Sequence, residues 1–147
     1  MKLTSFEDWN CSLAQALHVV GERWTLLILR DAFLGLSGFD EFQRHLGIAR
    51  NILSARLKQL TEDGILEKEP GGRGRYRLTD KGYDLVPVLL ALAHWGDRHK
   101  PHPSGARLTF VERDSGQPIQ RMAPHAADGR PLDPRDLDAQ RGPALAD

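Results

Sequence analysis

At 147 residues with 40% apolar content, the chain is long enough for one ordinary core and a tail, while 20 basic and 20 acidic residues leave it neutral. Bulk charge therefore argues for no nucleic-acid partner, and any such argument must come from where the charges lie. One cysteine, Cys11, excludes an internal disulfide or a multi-cysteine metal knuckle, and with neither a signal-peptide core nor about 18 uncharged apolar residues in a row a cytoplasmic protein with no membrane partner is expected.

Leu13, Ala16, Leu17 and Val20 recur at helical spacing and stop at Gly21, which predicts a first helix. Trp24, Leu27, Ile28, Ala32 and Phe33 continue the i, i+3, i+4 pattern as far as Gly35, so a second, strongly apolar helix should form the core. Phe39, Phe42 and Leu46 predict a short third helix with Asp40, Glu41, Gln43, Arg44 and His45 facing water. Gly47 supplies the break of a tight interhelical turn. A fourth helix is expected from about Ala49 to Asp63, stopping at Gly64.

The period then changes. ILEKEP reads as a short strand, GGRG as a turn and RYRL as a second strand, with Arg75 and Arg77 outward and Tyr76 and Leu78 inward. Thr79 is the expected N-cap of a last long helix, striped by Leu85, Val88, Leu89, Leu92 and Trp95 and kinked at Pro87. Seven of the nine prolines follow residue 100, which sets a boundary at Lys100–Gly105. Residues 1–99 are expected to form one domain. Residues 100–147 read as an extension with a small β-hairpin from LTFV and a mobile end.

The fold class implied is mainly α with a small β-hairpin, a winged helix-turn-helix. In that order of elements the fourth helix can enter a major groove while the hairpin reaches the adjacent backbone. Charge placement fits. Arg44, Arg50, Arg56 and Lys58 fall between Arg44 and Gln59 with no acid among them. Stepping around the fourth helix sets Leu53, Leu57 and Leu60 on one side and Asn51, Ser54, Ala55, Lys58 and Glu62 roughly opposite. Asn51, Ser54 and Ala55 are candidates for base edges, and Arg50, Arg56 and Lys58 for phosphates. Arg73, Arg75 and Arg77 alternate along the hairpin and would project guanidinium groups from one face.

The segment from Cys11 through Trp95 closely resembles the HxlR-type winged-helix regulators of the MarR/HxlR-like group. CSLAQALHVVGERWTLLILRDAFLG, FDEFQRHLGIARNILSARLKQLTEDGIL and YRLTDKGYDLVPVLLALAHWG carry the resemblance. It implies a homodimer formed by the terminal helices and bound to a roughly palindromic operator in double-stranded DNA, with repression the favoured sense. Longer members of the family place CxxC pairs in the C-terminal extension. Here those stretches read ERDSG and HAADG, and His99, His102 and His125 lack ligand spacing, so neither a metal nor another cofactor is expected.

Two effectors are consistent with these residues. Cys11 precedes the first helix, where the helix dipole favours an anion, and the resemblance includes branches whose matching cysteine is reactive. Against an oxidant or electrophile sensor stand the nearby Glu7 and Asp8 and the plain alternative of a packing cysteine. Trp9, Trp24, Phe33, Trp95 and Phe110 could instead line a pocket for a small aromatic ligand, or simply fill the core. No GxSxG, P-loop or HExxH appears, so an enzyme is not expected. The competing class is a winged-helix module that binds proteins rather than DNA.

Overall fold

A computed structural model describes residues 5–145. The described chain forms two compact units, one from residues within Met1–Val86 and Pro143–Asp147, the other from Pro87–Gly142.

In the first unit, α1 (Ser12–Val20) follows Cys11 as N-cap and ends at Gly21. α2 (Arg23–Phe33) begins on a cap that the apolar pattern does not reveal. The Glu22 carboxylate accepts from the backbone N–H groups of Trp24 and Thr25, satisfying two of the donors a helix start leaves open. α3 (Phe39–Leu46) and α4 (Arg50–Glu62) are joined through Gly47, whose φ of 66° places it in the left-handed region where a side chain is strained. The core is built from Ile28 and Leu29 of α2, Phe42 of α3, Leu53, Leu57 and Leu60 of α4, and the linking residues Ile48 and Ile65. Burial of these residues supplies the main folding drive, since each removes a large apolar side chain from water.

The wing is an antiparallel pair, β1 (Leu66–Lys68) with β2 (Tyr76–Leu78), in register Leu66↔Leu78, Glu67↔Arg77 and Lys68↔Tyr76. Leu66 and Leu78 turn into the core. Thr79 caps a single turn, α5 (Asp80–Tyr83), by accepting from Gly82 N–H. A Cβ on Gly82 would lie 2.4 Å from the Ile65 carbonyl oxygen, so close approach of this turn to the wing requires glycine.

The expected long, kinked last helix is instead two helices. After α5 the chain turns at Asp84–Leu85, and α6 (Val86–His99) starts afresh with Pro87 in its first turn. Proline is well placed there, where its absent N–H would have no partner in any case, whereas in a helix interior it would cost a bond. α6 opens the second unit and has no fully buried residue; Val88, Leu92 and Trp95 are exposed. The remainder of that unit is loop with isolated antiparallel bridges at Val111↔Pro118 and His125↔Pro131 and a 3-10 turn at Pro134–Asp136. The expected LTFV hairpin is short: Val111 bridges Pro118, flanked by Ile119 N–H donating to the Phe110 carbonyl at 2.9 Å and Glu112 N–H to the Gln117 carbonyl at 2.8 Å. The mobile end expected of the tail falls partly on residues 146–147, outside the described residues. Just before them, the Ala144 carbonyl accepts from Asn10 Nδ2 at 2.9 Å.

The apolar stripe that predicts α1 is only partly covered, with Leu13 69% and Leu17 44% exposed and Val20 buried. Two further expectations need correction. α2 is core on one side only: Ile28 and Leu29 are buried, and Leu27 and Phe33 are not. Glu41 and His45 of α3 do not simply face water, because each is bound by a polar group whose position no periodicity encodes.

Candidate nucleic-acid interface

α4 buries Leu53, Leu57 and Leu60 and leaves Asn51, Ser54, Ala55 and Lys58 exposed. The side chains of Asn51 and Ser54 make no hydrogen bond among the described residues, so their donors and acceptors are available to a partner. Lys58 lies 3.9 Å from Glu62 in a loose exposed pair that costs little to break, and Arg56 is half-buried. Arg44 Nε donates to the Asp40 carbonyl at 3.3 Å. Arg50 bridges the interhelical turn, donating to Asp40 Oδ1 at 3.2 Å and Gln43 Oε1 at 3.0 Å while its guanidinium lies 4.7 Å from the Phe39 ring centre. These contacts hold α4 to α3 by exposed groups that DNA phosphate could replace.

The wing does not present its three arginines as one free row. Arg75 Nη1 donates to Ser37 Oγ at 2.8 Å and lies 3.9 Å from Glu41, while the Ser37 carbonyl accepts from Tyr76 N–H at 2.8 Å. Arg77 pairs with its cross-strand partner Glu67 at 2.8 Å. Of these three, Arg73 alone has no ion pair among the described residues; it is exposed at the turn with a φ of 46° that is uncommon for a residue with a side chain. Alternation along a strand set the outward direction of Arg75 and Arg77, but not the acids waiting there.

Two polar locks hold α3. At its start, Glu41 Oε2 accepts from Ser37 N–H at 3.0 Å and Gly38 N–H at 3.4 Å. Those two backbone donors, with Arg75 and Arg44 adding smaller attractions, keep its carboxyl below the usual carboxylate range. At its end, His45 Nδ1 meets Asp31 Oδ2 of α2 at 2.7 Å. Arg30 donates to the other Asp31 oxygen from Nε at 2.9 Å and from Nη2 at 2.8 Å. Asp31 is fully buried. A glutamate three residues into a helix is a readable cap signal, so Glu41 could have been found. Asp31 and His45, 14 positions apart, leave no such signal.

The effector candidates are distributed between the units. Cys11 is exposed, with no side-chain cap bond. Trp9 stacks edge-on against Phe6 at 5.2 Å, Arg23 lies 5.1 Å from the Trp24 ring, and Phe33 ends α2, all in the first unit. Trp95 lies 5.0 Å from His99, and Phe110 packs edge-on against His94 at 6.3 Å, both in the second. Among the described residues no group of three or more His, Cys, Asp or Glu side chains could hold a metal, and no helix is long and apolar enough to cross a membrane.

Two helices joined by a tight turn, followed by a paired wing, define a winged helix-turn-helix, the architecture of a large class of DNA-binding transcription regulators. Comparison with known proteins agrees. The HxlR-like helix-turn-helix family matches residues 19–104. The HTH-type transcriptional regulator Rv3095 of Mycobacterium tuberculosis is 38% identical over 138 residues, which cover 91% of this chain and 87% of the relative. The solved structure of PA1607, described as a candidate transcription factor, is 45% identical with a TM-score of 0.83 over 95% of this chain and all of that one. Quinone-bound YodB from Bacillus subtilis is 30% identical with a TM-score of 0.53, over 60% of this chain and 98% of its own. The chain belongs to the HxlR-like helix-turn-helix family. It is a transcription regulator with a helix-turn-helix DNA-binding domain, not an enzyme.

Proposed function

We propose that the protein represses transcription as a homodimer on a palindromic operator, with α4 in the major groove and the wing on the flanking backbone. The observation that carries this reading is the outer face of α4, where Asn51, Ser54, Ala55 and Lys58 are exposed and the first turns hold no acid. Asn51 and Ser54 read bases; Arg44, Arg50, Arg56, Lys58 and Arg73 meet phosphates. Arg75 and Arg77 act through the wing's position, since Ser37, Glu41 and Glu67 hold them. Dimerisation uses apolar surface that one chain leaves open, with Leu13 and Leu17 on α1 and Val88, Leu92 and Trp95 on α6 supporting the assignment. Residues 1–99 provide the DNA-binding and dimerising part and 100–147 its extension.

Selecting bound sequences from a random DNA pool tests the reading. The expected product is an inverted repeat with half-sites about one helical turn apart. On that site Lys58→Ala and Arg73→Ala should each weaken binding of every sequence and reduce the salt slope by about one. Asn51→Ala should relax preference at one position by roughly tenfold while leaving the slope unchanged. Equal losses on all sequences in all three variants would break this division of contacts, and salt-insensitive, sequence-indifferent binding would favour a protein partner.

Control resides at Cys11. Its exposure at the α1 start leaves the thiol open to an oxidant or electrophile, and the similarity to YodB, solved with quinone bound, supports testing that chemistry here. Benzoquinone treatment should reduce operator affinity of the parent protein roughly tenfold, within the usual range of allosteric coupling. Cys11→Ser should not respond. An equal response in the variant would place the reaction elsewhere.

A further inference from the structure

Within the second unit, α6 and the loops after it line a cavity of about 330 Å3, at the small end of the ~300–1,000 Å3 range of small-molecule sites. Leu108, Phe110, Pro118 and Ile119 supply an apolar wall. Its two sides are tied: Ile119 N–H donates to the Phe110 carbonyl at 2.9 Å, and Val111 bridges Pro118. His94 completes the wall from α6. Its Nδ1 accepts from Met122 N–H at 3.2 Å, which leaves Nε2 as the proton-bearing nitrogen of the neutral ring.

The charges around this wall are not balanced. Asp97, the one acid of the lining, is engaged by Arg107, whose Nη1 lies 3.1 Å from its Oδ1. Arg98 and Arg121 also line the cavity and have no carboxylate partner among the described residues. A neutral aromatic would leave both guanidinium groups unused, and inorganic phosphate would leave the wall bare. A ligand with an apolar body and one carboxylate uses both, because a guanidinium fork matches carboxylate geometry and the body removes the wall from water.

We propose that this cavity binds a small aryl or alkyl carboxylate. The site goes beyond the DNA-binding reading and does not rest on it, since occupancy is read without DNA. The test is calorimetric titration of the full chain with phenylacetate, its neutral amide and inorganic phosphate. Phenylacetate should saturate with a dissociation constant below about 1 mM. The amide and phosphate should each bind at least tenfold more weakly. Arg98→Ala/Arg121→Ala should lose at least tenfold in phenylacetate affinity, and Ile119→Glu, which sets an acid in the wall, should abolish binding with the circular dichroism spectrum unchanged. Absence of saturation, equal binding of the amide, or undiminished binding by the double-arginine variant would each overturn the assignment.

Discussion

Phe42→Ala is expected to lower the unfolding free energy by about 3–5 kcal/mol, the usual cost of removing a fully buried aromatic side chain. Phe42 is the only fully buried residue of α3, and α3 packs on both α2 and α4. Four of its eight residues, Asp40, Glu41, Arg44 and His45, are charged or titratable, and Phe39 and Leu46 are only half-buried, so Phe42 carries the largest share of its packing. The lost transfer energy and the cavity left behind add, because flanking helices relax only partly. Against a typical domain stability of about 5–15 kcal/mol this is a large share. Urea denaturation followed by far-UV circular dichroism reads it as a lowered midpoint with an unchanged slope. Operator binding should persist in the cold, where the variant remains folded, and fail at a lower temperature than in the parent. A loss below about 1 kcal/mol would mean that the polar contacts of Glu41 and His45, rather than packing, hold α3 in place.

What could be read from the sequence follows the physics of each feature. Helix existence and the Gly21, Gly47 and Gly64 stops were legible because each helix carries an apolar period or a breaker of its own. Leu53, Leu57 and Leu60 against Asn51, Ser54 and Lys58 was legible for the same reason, since geometry within one helix decides it. The period could not distinguish apolar residues buried in this chain from those left uncovered. Leu13 and Leu17 are exposed although they share one helical period with the buried Val20. The break before Pro87 was legible only as a kink, because whether proline interrupts a helix or begins one depends on where the preceding turn ends. The wing arginines illustrate the limit on sites. A strand's alternation sets the direction of Arg75 and Arg77, but Ser37 and Glu41, which hold Arg75, arrive from the segment before and within α3.

The same kind of long-range pairing has a second large consequence at Asp31. A fully buried carboxylate costs several kcal/mol unless its oxygens are paired, and here one is taken by Arg30 and the other by His45. Its partners differ in that both reach water, with side-chain exposures of 36% for Arg30 and 52% for His45. Removing a partner is therefore worse than removing the acid: Arg30 and His45 can be hydrated when freed, whereas Asp31 cannot. His45→Ala should cost about 2–3 kcal/mol, the worth of a hydrogen bond to a charged group plus part of the desolvation left uncompensated. In an Asp31→Leu background, which fills the site with an apolar side chain of similar size, the same His45→Ala change should cost less than about 0.5 kcal/mol. The difference is the coupling between α2 and the end of α3, and a double-mutant cycle in urea measures it directly. Because α3 sets where α4 begins, the single His45→Ala variant should also lose specific operator affinity by a larger factor than non-specific affinity. Equal costs in the two backgrounds would show that His45 contributes by packing alone and that Arg30 suffices to hold the buried charge.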